Sequence, residues 1–227
     1  MKVVIGTPSL TGQVQSEYVE SLVETVRLAS KHNIDIYPIL LSYESILPQA
    51  RNEIVKIAYG AEADMLVFID ADMAWSPNAF LKVVQAEQDA IAIAYPRKSD
   101  EPRFECNFDL NNLELNGDLL KVDSVGTGFL KLSKTVLAGL WENSPEVLFR
   151  GKLLKNIFEY ATPKPDTTDD SSLVFMSEDI HLCAKIRALG FDIWVDTTTT
   201  CSHYGIKSWH YNFADFLKLV QHNSGVE

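Results

Sequence analysis

Leu66-Val67-Phe68-Ile69-Asp70-Ala71-Asp72 is the stretch on which the reading of this 227-residue chain turns. Five of the six residues from Met65 to Asp70 are apolar, and Val67 and Ile69 are β-branched. A short apolar run bounded by polar residues reads as a strand buried on both faces. It ends in two carboxylates one residue apart. Unpaired charge inside a sheet is costly, so acids in this position need a partner. At the carboxyl end of a strand in an open α/β sheet, such residues face the ligand crevice. Two carboxylates there suit a hard divalent cation, Mg²⁺ or Mn²⁺, which shares its shell with substrate phosphates. The same pair also fits a plain turn or cap before the next helix. Asp-x-Asp therefore takes its weight from its surroundings.

Upstream, Lys2–Gly6 reads as a first strand and Thr7-Pro8-Ser9-Leu10-Thr11-Gly12 as the polar turn at its carboxyl end. A helix over about 16–32 would bury Val19, Leu22, Val23, Val26 and Leu28 or Ala29 on one face. A strand follows over 34–41, and Pro48 then starts a helix. Arg51 lies in its first turns, where an arginine is ordinarily solvated. Downstream, Ser76-Pro77 caps and starts a helix running to about Glu87, and 89–95 is a strand followed by Pro96-Arg97-Lys98. Three strand–helix alternations in about 95 residues predict a mostly parallel, doubly wound α/β sheet.

The pattern then changes. Residues 100–122 alternate polar and apolar around Asn116-Gly117, a hairpin signal, and predict a β-rich insertion. Gly126 and Gly128 flank Thr127; such spacing lets backbone approach a ligand or turn sharply, and equally marks a bulged edge strand. No third glycine opens a helix, so this is not the dinucleotide fingerprint. Ser133 caps a short helix to about Leu140. Residues 161–172 have no apolar pattern and read as a mobile loop, a candidate lid. Ser177 caps a helix ending at Gly190, with Glu178 and Asp179 in its first turn, where acids also serve simply as dipole partners. A strand over 191–195, a polar stretch to His203 and an amphipathic helix carrying Trp209, Phe213, Phe216, Leu217 and Val220 complete the chain.

Composition narrows the function classes. Hydrophobic content of 46% and charged content of 22% are those of a globular protein, read here as a single domain. No apolar run approaches the ~20 residues of a membrane span, and the amino terminus is interrupted too soon for a signal peptide. Cys106, Cys183 and Cys201 form no Cys-x-x-Cys pair, which points to a reduced, cytoplasmic compartment. A net charge of −11 disfavours non-specific nucleic-acid or anionic-membrane binding, and an acidic protein handling phosphates needs a metal ion or a few placed cations. His181-x-Cys183 with Cys201-x-His203 makes a poor zinc set, because helical residues i and i+2 point apart.

Asp70-Ala71-Asp72, Gly126-Thr127-Gly128, Ser177-Glu178-Asp179 and His203 occur in the order of four motifs of GT-A glycosyltransferases, and the chain resembles that family over Val3 to Tyr204. Ala50-Arg51-Asn52 is similar to small bacterial and phage members of the family-2 type. The resemblance implies a Rossmann-like, mostly parallel sheet flanked by helices, with residues 1–95 as the nucleotide-binding half, 96–205 as the acceptor and metal half, and 206–227 as a C-terminal helix. It implies Mn²⁺ or Mg²⁺ on Asp72 and His203, with Asp70 on the ribose or the metal's water. Thr7, Pro8, Ser9 and Arg51 would border the nucleoside diphosphate, UDP-linked above all. Gly126, Thr127 and Gly128 would border the donor sugar and acceptor. Asp179 would be the general base of an inverting transfer, with Glu178 its rival. The acceptor stays open among a saccharide, a protein, a metabolite and a modified nucleobase. A nucleotidyltransferase of similar fold would carry an arginine in the loop after strand one, which is lacking here. A non-catalytic nucleotide-sugar-binding protein would need no acid at Asp179.

Overall fold

The computed structural model describes residues 1–161, 175–205 and 207–223. The candidate lid, apart from Ala161, lies outside the described residues. The strands are β1 (Lys2–Ser9), β2 (Asp35–Ser42), β3 (Met65–Ile69), β4 (Met73–Trp75), β5 (Ala90–Ile93), β6 (Cys106–Asn107), β7 (Leu115–Asn116), β8 (Leu119–Val122), β9 (Ser124–Val125), β10 (Phe129–Ser133), β11 (Glu146–Phe149), β12 (Lys152–Lys155), β13 (Ile193–Asp196), β14 (Cys201–Tyr204) and β15 (Ser208–Trp209). The helices are α1 (Ser16–Lys31), α2 (Leu47–Gly60), α3 (Pro77–Gln85), α4 (Lys134–Asn143), α5 (Glu178–Ala188) and α6 (Phe213–Asn223).

An eight-stranded sheet in the order β2-β1-β3-β10-β5-β13-β8-β7 forms the frame. Strands β2, β1 and β3 pair in parallel, as do β5 and β13. Strand β10 runs antiparallel between β3 and β5. The expected α/β sheet is thus present, with strands drawn from both halves of the chain. Alternate residues face two cores. Val4, Leu66, Phe68, Ala92 and Leu130 join helices α2, α4, α5 and α6 on one face. Val3, Ile5, Val67, Ile69, Ile91 and Phe129 join α1 and α3 on the other. Burial on both faces is why β3 reads as an unbroken apolar run.

Three expectations are corrected. The first is the face of α1. Tyr18, Ser21, Thr25 and Ala29 are buried, while Val19, Val23 and Val26 are exposed. The polar side is inward because it is hydrogen-bonded: Tyr18 Oη pairs with Thr7 Oγ1 at 2.5 Å, Ser21 Oγ accepts from the Trp75 N–H, and Thr25 Oγ1 accepts from the Trp75 indole. The second concerns the segment after Gly128, for which a bulged edge strand was one of two readings: it is the central strand β10. Lys131 disguises it. Its stem is buried in the sheet and its ammonium donates to the carbonyls of Ala86 and Gln88, just past the end of α3. The third is Trp209, which lies in β15, before the last helix. Strands β4, β14 and β15 form a small sheet of their own, and β11–β12 is a further hairpin. The Asn116-Gly117 turn is where it was expected, joining β7 to β8 with Gly117 at φ 59°.

Candidate functional site

The carboxyl ends of β1, β3 and β5 converge at one edge of the sheet, and antiparallel β10 begins there. The Asp-x-Asp turn is held by four backbone bonds. Asp70 N–H donates to Gly128 O, Met73 N–H to Asp70 O, Gln15 N–H to Ala71 O and Tyr204 N–H to Asp72 O. Three loops are therefore tied to one tripeptide. Beside it lies a cavity of about 440 Å³ lined by Pro8, Ser9, residues from Leu10 to Gln15, Leu47, Asp70, Ala71 and Asp72. Pro8 and Ser9 thus face the cavity as expected. Thr7 does not line it; it is fully buried with its hydroxyl on Tyr18.

Arg51 is not the solvated arginine that an early helical turn ordinarily carries. It is 3% exposed, with Nη1 donating to Glu178 Oε1 at 2.7 Å and Nη2 to Asp70 Oδ1 at 3.2 Å. One guanidinium thus clamps α2, the end of β3 and the start of α5. Burial opposes its charge, but Asp70 and Glu178 outweigh that and raise its pKa further. The Arg51 Nε is buried without a hydrogen-bond partner among the described residues. Asp179 stands beside this clamp, near enough for its charge to act on Arg51, Tyr95 and Tyr160. Its Oδ1 accepts from the Ile180 N–H at 2.9 Å and from the Ser177 hydroxyl. Ser177 therefore bonds a side chain rather than the helix N–H groups it was expected to cap.

Asp72 sits in different surroundings. Its Oδ2 is 3.5 Å from His203 Nε2 and 2.5 Å from Lys98 Nζ, and the side chain is 33% exposed. Burial pushes its pKa up, but the His203 and Lys98 contacts outweigh burial and hold it below the ordinary carboxylate value. His203 Nδ1 lies 2.8 Å from Pro96 O. A carbonyl only accepts, so Nδ1 carries the proton, and in the neutral ring Nε2 is a bare acceptor. With that ring neutral, Asp72 Oδ2 and Nε2 offer a cation two acceptors 3.5 Å apart; with it protonated, Nε2 donates to Asp72 itself, the contact that lowers the Asp72 pKa. An oxygen and an imidazole nitrogen, with neighbouring space for phosphate and water, suit Mn²⁺ or Mg²⁺. No group of three or more His, Cys, Asp or Glu poised for a metal occurs among the described residues, so any ion here would draw the rest of its shell from substrate and water.

Tyr95 lies between the two arrangements. Its ring meets His203 edge-on at 5.3 Å, and its hydroxyl accepts from Gly128 N–H at 3.3 Å. Burial, with the charges of Asp70 and Asp179, raises its pKa well above the usual value. Gly126 and Gly128 are needed here: a Cβ on Gly126 would come within 2.2 Å of the Tyr95 hydroxyl, and one on Gly128 within 2.7 Å of its ring. These glycines make room for Tyr95, and Thr127 between them is fully buried. Tyr95 and Lys98 both occupy the carboxyl end of β5, equivalent to Asp70 on β3, and that position was the available signal for them. Tyr43, unremarked in the sequence, is 79% exposed at φ 64°, with its ring against Gly12 of the cavity loop.

No protein-family model matches the sequence, and no curated protein matches it. Solved structures do resemble it. Protein A197 from STIV gives a TM-score of 0.55 at 13% identity, covering 90% of this chain and 86% of that one. The chain shares the fold of that protein, a mixed α/β sheet flanked by helices. A mutant of Drosophila β-1,4-galactosyltransferase 7, in complex with manganese, UDP-Gal and xylobiose, gives 0.45 at 9% identity over 86% of this chain and 64% of that one. Staphylococcal (S. aureus) TarS in complex with UDP-GlcNAc gives 0.45 at 14% identity over 86% and 56%. This chain spans less than two thirds of those two. The likeness to A197 is one of fold.

Proposed function

We propose that this protein is a metal-dependent glycosyltransferase that moves a sugar from a nucleoside-diphosphate donor to an acceptor hydroxyl. The observation that carries the reading is the pairing of Asp72 with a tautomer-fixed His203 on the Asp-x-Asp turn that floors the 440 Å³ cavity. In this reading Pro8, Ser9 and the 10–15 loop hold the nucleoside, and the exposed Tyr43 ring offers a face for stacking a base. Asp70 and Arg51 border the diphosphate. Asp72 and His203 would hold Mn²⁺ or Mg²⁺, whose Lewis acidity offsets the charge gathering on the departing diphosphate.

Two acids compete for the role of base. Glu178 is committed to buried Arg51 at 2.7 Å, so taking a proton there would break an ion pair. Asp179 carries no such pairing among the described residues. It is therefore the candidate to accept the acceptor hydroxyl's proton as its oxygen attacks the anomeric carbon opposite the diphosphate. The Gly126–Gly128 backbone lies behind Tyr95, and in this reading residues 96–121 face the acceptor. Three free cysteines and the lack of any helix long and apolar enough to cross a membrane, among the described residues, accord with action in the cytoplasm.

Thermal denaturation with UDP-, GDP-, CMP- and ADP-linked sugars, with and without Mn²⁺, tests the donor site. A matching donor at a hundredfold excess over its Kd should add about 2.7 kcal/mol of stability. A shift with one base, seen only with metal, supports the reading; no shift with any donor overturns it. Asp179→Asn should keep that shift and lose turnover by about 100-fold or more, and retained turnover removes Asp179 as the base.

A further inference from the structure

The Asp72–His203 pair is not left bare. Lys98 approaches Asp72 Oδ2 to 2.5 Å, closer than His203 does, and so places a positive charge on the oxygen that faces His203. The approach is guided along its whole length. The Lys98 stem passes beside Gly205, where an added Cβ would stand 3.2 Å from Lys98 Cδ and 3.5 Å from Cε. Gly205 in turn follows Tyr204, whose N–H is bonded to Asp72 O. The segment that carries Lys98 also carries Pro96, whose carbonyl fixes the His203 ring at 2.8 Å. It is braced by the Arg97 N–H on Arg103 O and by the pairing of Pro96 with Phe104. A single three-residue segment therefore sets the imidazole for a cation and supplies a cation of its own.

We infer that Lys98 is an internal counter-cation that competes with the divalent metal for Asp72. Lys98 Nζ and His203 Nε2 both approach the same oxygen, Asp72 Oδ2, so the ammonium holds the atom that an ion shared with His203 would need. Metal entry then requires Lys98 to leave, and the exchange replaces one positive charge by two. The affinity for free metal is lowered by the strength of the Lys98–Asp72 pair. A donor diphosphate, which adds ligands for the metal and an alternative partner for the ammonium, tips the exchange. Metal and nucleotide would thus bind in concert. This inference rests on the metal assignment of the proposed function.

The test is Mn²⁺ binding to the full-length protein with MnCl₂ alone, followed by electron paramagnetic resonance or calorimetry. Lys98→Met should bind Mn²⁺ about fivefold more tightly than wild type, the scale of a half-exposed ion pair. Lys98→Arg should stay near wild type, and Asp72→Asn should abolish binding. Melting curves in EDTA check that each variant is folded. Equal or weaker Mn²⁺ binding by Lys98→Met, with UDP binding still Mn²⁺-dependent in both proteins, overturns the competition and leaves the proposed function intact. Failure of both proteins to bind Mn²⁺, with or without UDP, overturns the metal assignment and the competition together.

Discussion

Asp70 and Asp72 are two residues apart and similarly exposed, at 27% and 33%, yet their partners differ in character. Asp70 closes a clamp: Arg51, 3% exposed, joins it to Glu178 and ties α2, β3 and α5 together. Asp72 meets a lysine and a histidine that reach it from loop and edge. Tyr95 stands as the wall between them. The contrast teaches that an Asp-x-Asp turn can divide its labour. One carboxylate is spent on rigidity, and that rigidity lets the other be held at a fixed place without being satisfied by it.

The difference is testable from the buried side first. Arg51→Met leaves buried Glu178 and part-exposed Asp70 without their cation, and breaking the buried Glu178 pair costs about 3–5 kcal/mol. For a chain of this size that lowers the melting temperature by about 10 °C. A drop of only a degree or two, seen by calorimetry, would erase the distinction between the two acids. Asp72→Asn should show the reverse pattern. Its folding cost should stay below about 1 kcal/mol, as for exposed pairs. The Mn²⁺-dependent stabilisation by donor, about 2.7 kcal/mol at a hundredfold excess, should vanish.

The dividing wall can be tested with Gly126→Ala, which drives a methyl into the Tyr95 hydroxyl. Overpacking of this kind costs about 1–3 kcal/mol. In a Tyr95→Phe background the tightest of these contacts is removed and the cost should shrink, as a double-mutant cycle in urea would register. The smallest effect is in pH. The Asp72 pKa lies lower in the folded protein than the ordinary 3.8. Its stabilisation is therefore complete above about pH 4 and is lost as pH falls through the folded value. The stability difference between wild type and Asp72→Asn should accordingly fade below about pH 4. A difference that persists into stronger acid would mean that Asp72 acts through packing and not through charge.

The parts of this arrangement that follow local rules were readable in the residues. The apolar run of β3, the Ser76 and Ser133 caps and the Asn116-Gly117 turn each stand where short-range chemistry puts them. What depended on distant partners was not. Arg51 looks like any arginine in an early helical turn until Glu178, 127 residues away, meets it. Strand β10 was hidden because Lys131 interrupts its apolar pattern, and only the carbonyls past α3 make that lysine tolerable there. The inward face of α1 was misjudged because hydrogen-bond partners on β1 and β4 outbid apolar periodicity. Lys98 and Tyr95 gain their meaning from the neighbouring strand ends.

That inverted helix has a thermal consequence. Contacts held by apolar burial weaken on cooling, since their driving force carries a large heat-capacity change. Much of the docking of α1 rests instead on Thr7, Ser21, Thr25, Tyr18 and Trp75, whose hydrogen bonds carry little of that dependence. As the temperature falls, the cores on the sheet should soften before this joint does. The 10–15 loop, strung between β1 and α1, would then keep its shape in the cold while the rest of the molecule loosens around it.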